Sequence, residues 1–306
     1  MKLIKGALAA VLALTMTACA STKEADPIKV LTPLGAPSLS MLGLYGDDKV
    51  TLETVDGSDT LQAELAKTDG DYDMIVAPIN LGAKLITNGK SGYTLSHVVT
   101  WGNLYIVGTE EAVLQDQDSV FAAFGEKAVP QIVLKSSIDM SSIKADVQYF
   151  NSVNDVQAQL MSGKAAAGLM AEPAATATIA KAKEKGMDLK IIMNLQEAYK
   201  TKNKLETTGY PQAALFVKKG SEDKVAGYIE TASKFANETA IADSAEITKQ
   251  IEIASVEKLG IPNAEIAVKT WERQNIHIKK AIDVKTDVET FLKQFKIEAT
   301  EDLYTK

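Results

Sequence analysis

Residues 165–186 read AAAGLMAEPAATATIAKAKEKG. Ala165 to Ala171 is a short apolar run of strand length, and Pro173 to Gly186 reads as a helix. Glu172 stands at the joint, where a carboxylate favours the positive end of the helix dipole. A strand without a polar face followed directly by a helix is the repeating unit of a sheet covered by helices.

The same alternation extends in both directions. Upstream, residues 28–32, 50–55 and 72–77 read as strands, alternating with helices at 37–44, 59–67 and 80–88. Asp59 and Gln62 resemble a capping box, and Gly89 follows the third helix as a stop. The strands 93–100 and 104–108 come next. A second unit then reads as helix 118–124, strands 130–135 and 145–150, helix 153–163, strand 165–171 and helix 173–186, with further strands at 189–194 and 211–219. From residue 221 the chain reads as almost all helix, over 222–239, 244–259, 263–274 and 286–295, the last with Thr286 and Glu289 as a capping box. The pattern predicts an α/β protein of parallel character with a helical C-terminal tail.

Composition narrows the function. The chain has 306 residues, of which 46% are hydrophobic and 24% charged, enough to build two ordinary domains. Its net charge of −7 argues against nucleic acid as a partner, because phosphate binding is driven by a basic face. One cysteine excludes an intramolecular disulfide, and two histidines leave little material for a His/Cys metal site. His97 and His277 have no partner at triad spacing, so no catalytic set is read and the chain is expected not to be an enzyme. No glycine-rich phosphate loop is present, and no cofactor is expected.

The N-terminus reads as an address. Residues 1–18, MKLIKGALAAVLALTMTA, pair a basic start with an apolar stretch too short to span a bilayer, and Cys19 follows. This resembles the lipobox of bacterial lipoproteins. The resemblance implies a signal peptide over 1–18, a lipid on Cys19, a polar tether over 19–27 and an extracytoplasmic, membrane-anchored body. Lipidation would also remove the only thiol.

Open sheets bind ligands outside the carboxyl ends of their strands, so residues just after strands are the site candidates. They are Pro37 and Ser38 after the first strand, Asn80 as a helix cap after the third, Trp101 and Asn103 where two strands meet, Ser136 after the run 130–135, Glu172, and Tyr210 with Gln212 entering a late strand. Each also has an ordinary structural reading as a turn, cap or core residue.

The segments GAPS, DMIVAPINLGAKL, TWGNLYIV, GLMAEPAATATIAK and TGYPQAALFVKK resemble the substrate-binding lipoproteins of ABC importers, in the branch that includes nitrate, sulfonate and thiamine-pyrimidine-precursor binders. The resemblance spans nearly all of the chain after the tether. It implies a two-lobed type II periplasmic-binding-protein fold with the helical tail packed on lobe one. Lobe one would be 28–106 plus 216–306 and lobe two 107–215, with crossings near Leu104–Thr109 and Tyr210–Val217. The cleft would take Pro37, Ser38, Asn80 and Trp101 from lobe one, Ser136 and Glu172 from lobe two, and Tyr210 at the hinge.

It further implies a monomer that delivers a small ligand to a permease and its ATPase. Arg273, the single arginine, is read as lying in the tail away from every candidate loop, which disfavours an anion. Glu172 is read as an acceptor for a ligand N–H or cation, so a neutral or basic heterocycle such as a vitamin-precursor pyrimidine is expected. A sulfonate- or nitrate-type anion is the alternative on the same fold. Two rivals of other classes are an enzyme on this fold and a surface lipoprotein with a protein partner.

Overall fold

A computed structural model describes residues 27–205 and 208–305; residues 1–26, with the expected signal peptide and Cys19, lie outside them. The elements follow in chain order as β1 (Ile28–Pro33), α1 (Ala36–Ser40), β2 (Val50–Val55), α2 (Asp59–Leu65), β3 (Met74–Pro78), α3 (Ile79–Thr87), β4 (Tyr93–Thr100), β5 (Leu104–Gly108), β6 (Val120–Phe124), α4 (Val129–Ser137), β7 (Asp146–Phe150), α5 (Val153–Met161), β8 (Ala167–Ala171), α6 (Ala174–Glu184), β9 (Lys190–Asn194), α7 (Leu195–Asn203) and β10 (Ala213–Lys218). The tail adds α8 (Glu222–Lys234), α9 (Ala240–Ala242), α10 (Ser244–Ala254), α11 (Val256–Leu259), α12 (Ala264–Lys269), β11 (Ile276–Lys280) and α13 (Lys285–Lys293).

These strands form two sheets, ordered β11-β4-β10-β3-β1-β2 and β7-β6-β8-β5-β9. Both are mixed rather than parallel. In the first, β1 runs parallel to β2 and β3, while β10 is antiparallel to β3 and β4. In the second, β6 is parallel to β7 and β8, and β5 is antiparallel to β8 and β9. β11 is also antiparallel to β4, and it is beside the antiparallel strands β5 and β10 that the chain changes sheet. Leu104 to Ile106 pair within the second sheet, and Ala213 to Leu215 within the first.

Several local expectations are corrected. Residues 120–124 form a strand and 129–137 a helix, the reverse of the reading above. VFAAF is a five-residue apolar run whose length fits a strand, and Pro130 opens the helix, where its missing N–H costs nothing. Helix α7 and strand β11 were not expected. Asn194 caps α7, its Oδ1 accepting from the backbone N–H groups of Gln196 and Glu197. The helix 59–67 starts at Asp59, which sits inside its first turn, and neither Asp59 nor Thr286 acts as a side-chain cap.

The core explains why the sheets stay together. One apolar cluster runs from Ile75 and Phe216 in the first sheet, through Leu104, Tyr199, Tyr210 and Phe291, to Phe121 and Leu169 in the second. Tyr210 stacks on Phe291 with centroids 5.4 Å apart, and Tyr199 meets Tyr210 edge-on at 5.2 Å. A second cluster packs the tail residues Val225, Ile251, Leu259 and Trp271 on Val30, Val76 and Leu215 of the first sheet. Helices α8 to α12 therefore cover the face of that sheet turned away from the shared core, while α13 packs into that core through Val288, Phe291 and Leu292. A third cluster packs α5 and α6 on β6 and β8.

The two crossing segments lie side by side. Tyr210 N–H donates to Trp101 O at 3.1 Å, and Gln212 N–H to Thr100 O at 3.0 Å. Gly102 has φ +91°, and a Cβ there would lie 2.6 Å from the Tyr210 ring. Gly102→Ala therefore combines backbone strain with a clash against a packed aromatic. It is expected to cost about 2–4 kcal/mol, read as a lowered denaturation midpoint, whereas an unchanged midpoint would contradict this packing.

His97 on β4 is set by burial. Burial first, and the Lys280 charge second, push its pKa down to about 4, with Asp283 opposing. The folded protein thus holds His97 neutral. Its contribution to stability is complete above the ordinary histidine value near 6.5 and falls away as pH drops from there towards 4. His97→Gln should flatten that loss, by at most about 3 kcal/mol, in denaturation series at pH 7, 5.5 and 4.5; parallel curves for both proteins would refute it.

Candidate functional site

The carboxyl ends of strands from both sheets converge on one cavity of about 630 Å³. From the first sheet come Pro33 at the end of β1, Asp56 after β2 and Pro78 at the end of β3. From the second come Phe124 at the end of β6 and Ala171 at the end of β8. Asn103 and Gln212, from the two crossing segments, also line it. The loop Gly260–Pro262 of the tail completes the wall beside Leu34. This is where an open α/β sheet offers a ligand both loop side chains and free backbone groups. Another cavity, of about 530 Å³, lies under α8 beside His97 on the first sheet alone and joins no strand ends of the second.

The wall from the second sheet is built by helix starts. Val129 and Pro130 begin α4, Val153 and Asn154 begin α5, and Pro173 and Ala174 precede or begin α6, all facing the cavity. Three positive dipole ends therefore point towards one space without a formal charge. Ser152 caps α5 in a box with Asp155, which accounts for part of that helix's free N–H set.

Ionisable side chains around the cavity are Asp56, Lys181 and Glu172. Asp56 and Lys181 are exposed on opposite walls. Glu172 is different: its side chain has 0% exposure, so only its main chain faces the cavity. Its Oε2 accepts from the Thr176 N–H at 3.1 Å, and its Oε1 accepts from the Thr176 hydroxyl at 2.8 Å and from Arg273 Nε at 2.9 Å. Arg273 Nη2 also donates to Thr176 Oγ1 at 2.8 Å. The reading of Arg273 as remote is thus overturned. It closes a contact over 101 residues of chain, which no local pattern announces. The carboxylate read as a ligand acceptor is occupied by α6 and by this arginine.

Two amides occupy the floor in fixed orientations. Gln212 Nε2 donates to Asn103 Oδ1 at 3.0 Å, and Asn103 Nδ2 donates to the Glu172 carbonyl at 2.9 Å. Gln212 Oε1 has no partner among the described residues. Asn154 and Gln157 add two further amides from α5.

Of the candidate residues, the cavity brings together Pro37, Asn103, Gln212 and the main chain of Glu172. The others lie outside that lining, and all but Asn80, whose buried Oδ1 has no partner among the described residues, are held by their own bonds. Ser38 Oγ donates to Gly35 O and Leu259 O, fastening α1 to the tail. Asn80 is the second residue of α3, which starts after Pro78, so it is not the cap. Trp101 Nε1 donates to His277 O and its ring lies beneath Lys279, in the core. Ser136 sits in the last turn of α4, its Oγ donating to Ile132 O, because the expected strand is a helix. Tyr210 is buried, its hydroxyl donating to Gln196 Oε1. Asn154 and Gln157 were missed although they follow the strand 145–150, where the same rule applies. Gly260–Pro262 follows no strand and carried no such signal.

No family model matches the chain, and no curated protein matches it. Solved structures do. An ABC transporter protein from Parabacteroides distasonis superposes with a TM-score of 0.75 at 21% identity, covering 92% of this chain and 99% of that one. The periplasmic aliphatic sulphonate-binding protein of Escherichia coli gives 0.60 at 13% identity, covering 92% and 91%. The periplasmic nitrate-binding protein of Synechocystis gives 0.56 at 13% identity, covering 88% and 80%. The chain is an α/β protein with the two-sheet fold and helical C-terminal region of these binding proteins.

Proposed function

We propose that this chain is the solute-binding lipoprotein of an ABC importer, held outside the cytoplasmic membrane by a lipid on Cys19. The observation that carries the reading is the cleft itself. It is large enough for a small molecule, it lies between two sheets, and among the described residues the chain leaves the first sheet after Thr100 and rejoins it at Ala213. Such a cleft can close. A solute touched by one lobe when open and by both when closed shifts the population towards the closed form by its differential affinity. The closed form then docks on the permease, whose ATPase drives transport, and the tether keeps the two at high local concentration. No catalytic step is needed. Among the described residues no helix is long and apolar enough to cross a membrane.

Pro37, Asn103, Gln212 and the main chain at Glu172 are the proposed ligand contacts, with Asn154 and Gln157 added. The amides supply donors and acceptors, while Leu34, Phe124 and Ile261 supply apolar walls. This suits a neutral heterocycle such as a vitamin-precursor pyrimidine. A basic one loses its main support, since the Glu172 carboxylate is engaged by Arg273. The three helix starts favour the second reading, a sulfonate- or nitrate-type anion.

A thermal-shift screen of pyrimidines, purines, amino acids, ethanesulfonate and nitrate, followed by X-ray scattering on each hit, tests the proposal. A ligand at about 100 times its dissociation constant should add roughly 2.7 kcal/mol. It should also reduce the radius of gyration. A panel without a hit, or hits that leave the radius unchanged, would count against a closing solute trap.

A further inference from the structure

We propose that Arg273 is a positioning residue that fixes the angle between the two lobes of the ligand-free protein, acting through Glu172. This rests on the reading of the cleft as one that opens and closes. Arg273 lies in the single turn Glu272–Gln274 of the tail, between α12 and β11. That turn is lashed to the first crossing segment: Trp101 N–H donates to Asn275 O, and Asn275 Nδ2 donates to Gly102 O at 2.7 Å. It also touches the second sheet, since the Tyr105 hydroxyl donates to Arg273 O at 2.9 Å. Among the described residues, Glu172–Arg273 is the one side-chain ion pair that joins the tail to the second lobe.

The chemistry makes this contact hard to break. The Glu172 side chain has no exposure, and all its bonds go to Thr176 and Arg273. Withdrawing the guanidinium would leave a buried carboxylate with one fewer partner, which is far less favourable than loss of an exposed pair. The pair sits beside the crossing segments, because the Glu172 N–H donates to Asn103 O. Rotation of the lobes therefore has to pass around it rather than through it. The aromatic set Tyr199, Tyr210 and Phe291 braces another part of the same joint. With both braces in place the lobes keep one resting separation. Without the ionic one, the start of α6 can leave the tail and the cleft gapes.

Spin labels at Ser58→Cys and Lys185→Cys, exposed on the first and second lobes, read that separation in a Cys19→Ser background without any ligand. The parent should give one narrow distance. Arg273→Gln should broaden it and lengthen the peak by roughly 5 Å or more. Arg273→Lys, which keeps the charge, should recover most of the narrow population. Lys249→Gln, which removes an exposed ion pair within α10, should change nothing. Thr176→Val, which removes the hydroxyl bound to both charges, gives a milder version should Arg273→Gln fail to fold. Unchanged distances in every folded variant overturn the proposal. So does loss of folding in Arg273→Gln and Thr176→Val together, which would make the pair a plain stability contact. Because no ligand is present, these outcomes are independent of whether any solute closes the cleft.

Discussion

The structure depends on how two strips of backbone cross between the sheets. Trp101 to Asn103 goes out and the stretch ending at Gln212 comes back, and they are hydrogen-bonded to one another as they pass. At two positions this close pairing leaves no room for a side chain, and glycines at positive φ stand there, at 102 and 209; a Cβ at Gly209 would lie 2.3 Å from Trp101 O. Everything else at the joint hangs on that pairing. Asn103 and Gln212 reach the cleft because they end the two strips, and Tyr210 is driven into the shared core because it lies opposite Gly102.

The tail is part of this machine rather than an appendage. Helices α8 to α12 cover one face of the first sheet, α13 packs in the shared core, the loop Gly260–Pro262 walls the cavity, and the turn at Arg273 reaches the second sheet. One length of chain thus contributes to the core, the cavity wall and the joint. The cleft that results is amide-lined, apolar at its edges and without an uncompensated buried charge. On the proposed binding role, selectivity would come from the placement of donors and acceptors, because an unmatched polar group on either side would be left unpaired.

How much of this could be read from residues alone follows from the range of each interaction. The unit at 165–186 was legible, because an apolar strand followed by a helix is a local pattern. Asn103 and Gln212, which sit where strands end, were legible as residues lining the space between the sheets. The exchange of helix and strand at 120–137 arose because VFAAF and PQIVL are both short apolar runs, and periodicity does not separate a buried strand from a buried helix at that length. That error moved Ser136 from a loop into a helix turn. Trp101 and Tyr210 carried the composition of a binding site, but their polar atoms are satisfied within the joint. Arg273 was invisible for a different reason: a contact made across two lobes leaves no trace in spacing.

The central claim is that the solute lies enclosed between the lobes. A crystal structure of the protein with a solute identified by binding tests it most directly. The account predicts density against Asn103 and Gln212 on the floor, with Leu34 and Ile261 on one side and Asn154 on the other. Density in the cavity under α8 beside His97, with the space between the sheets filled only by water, would contradict it.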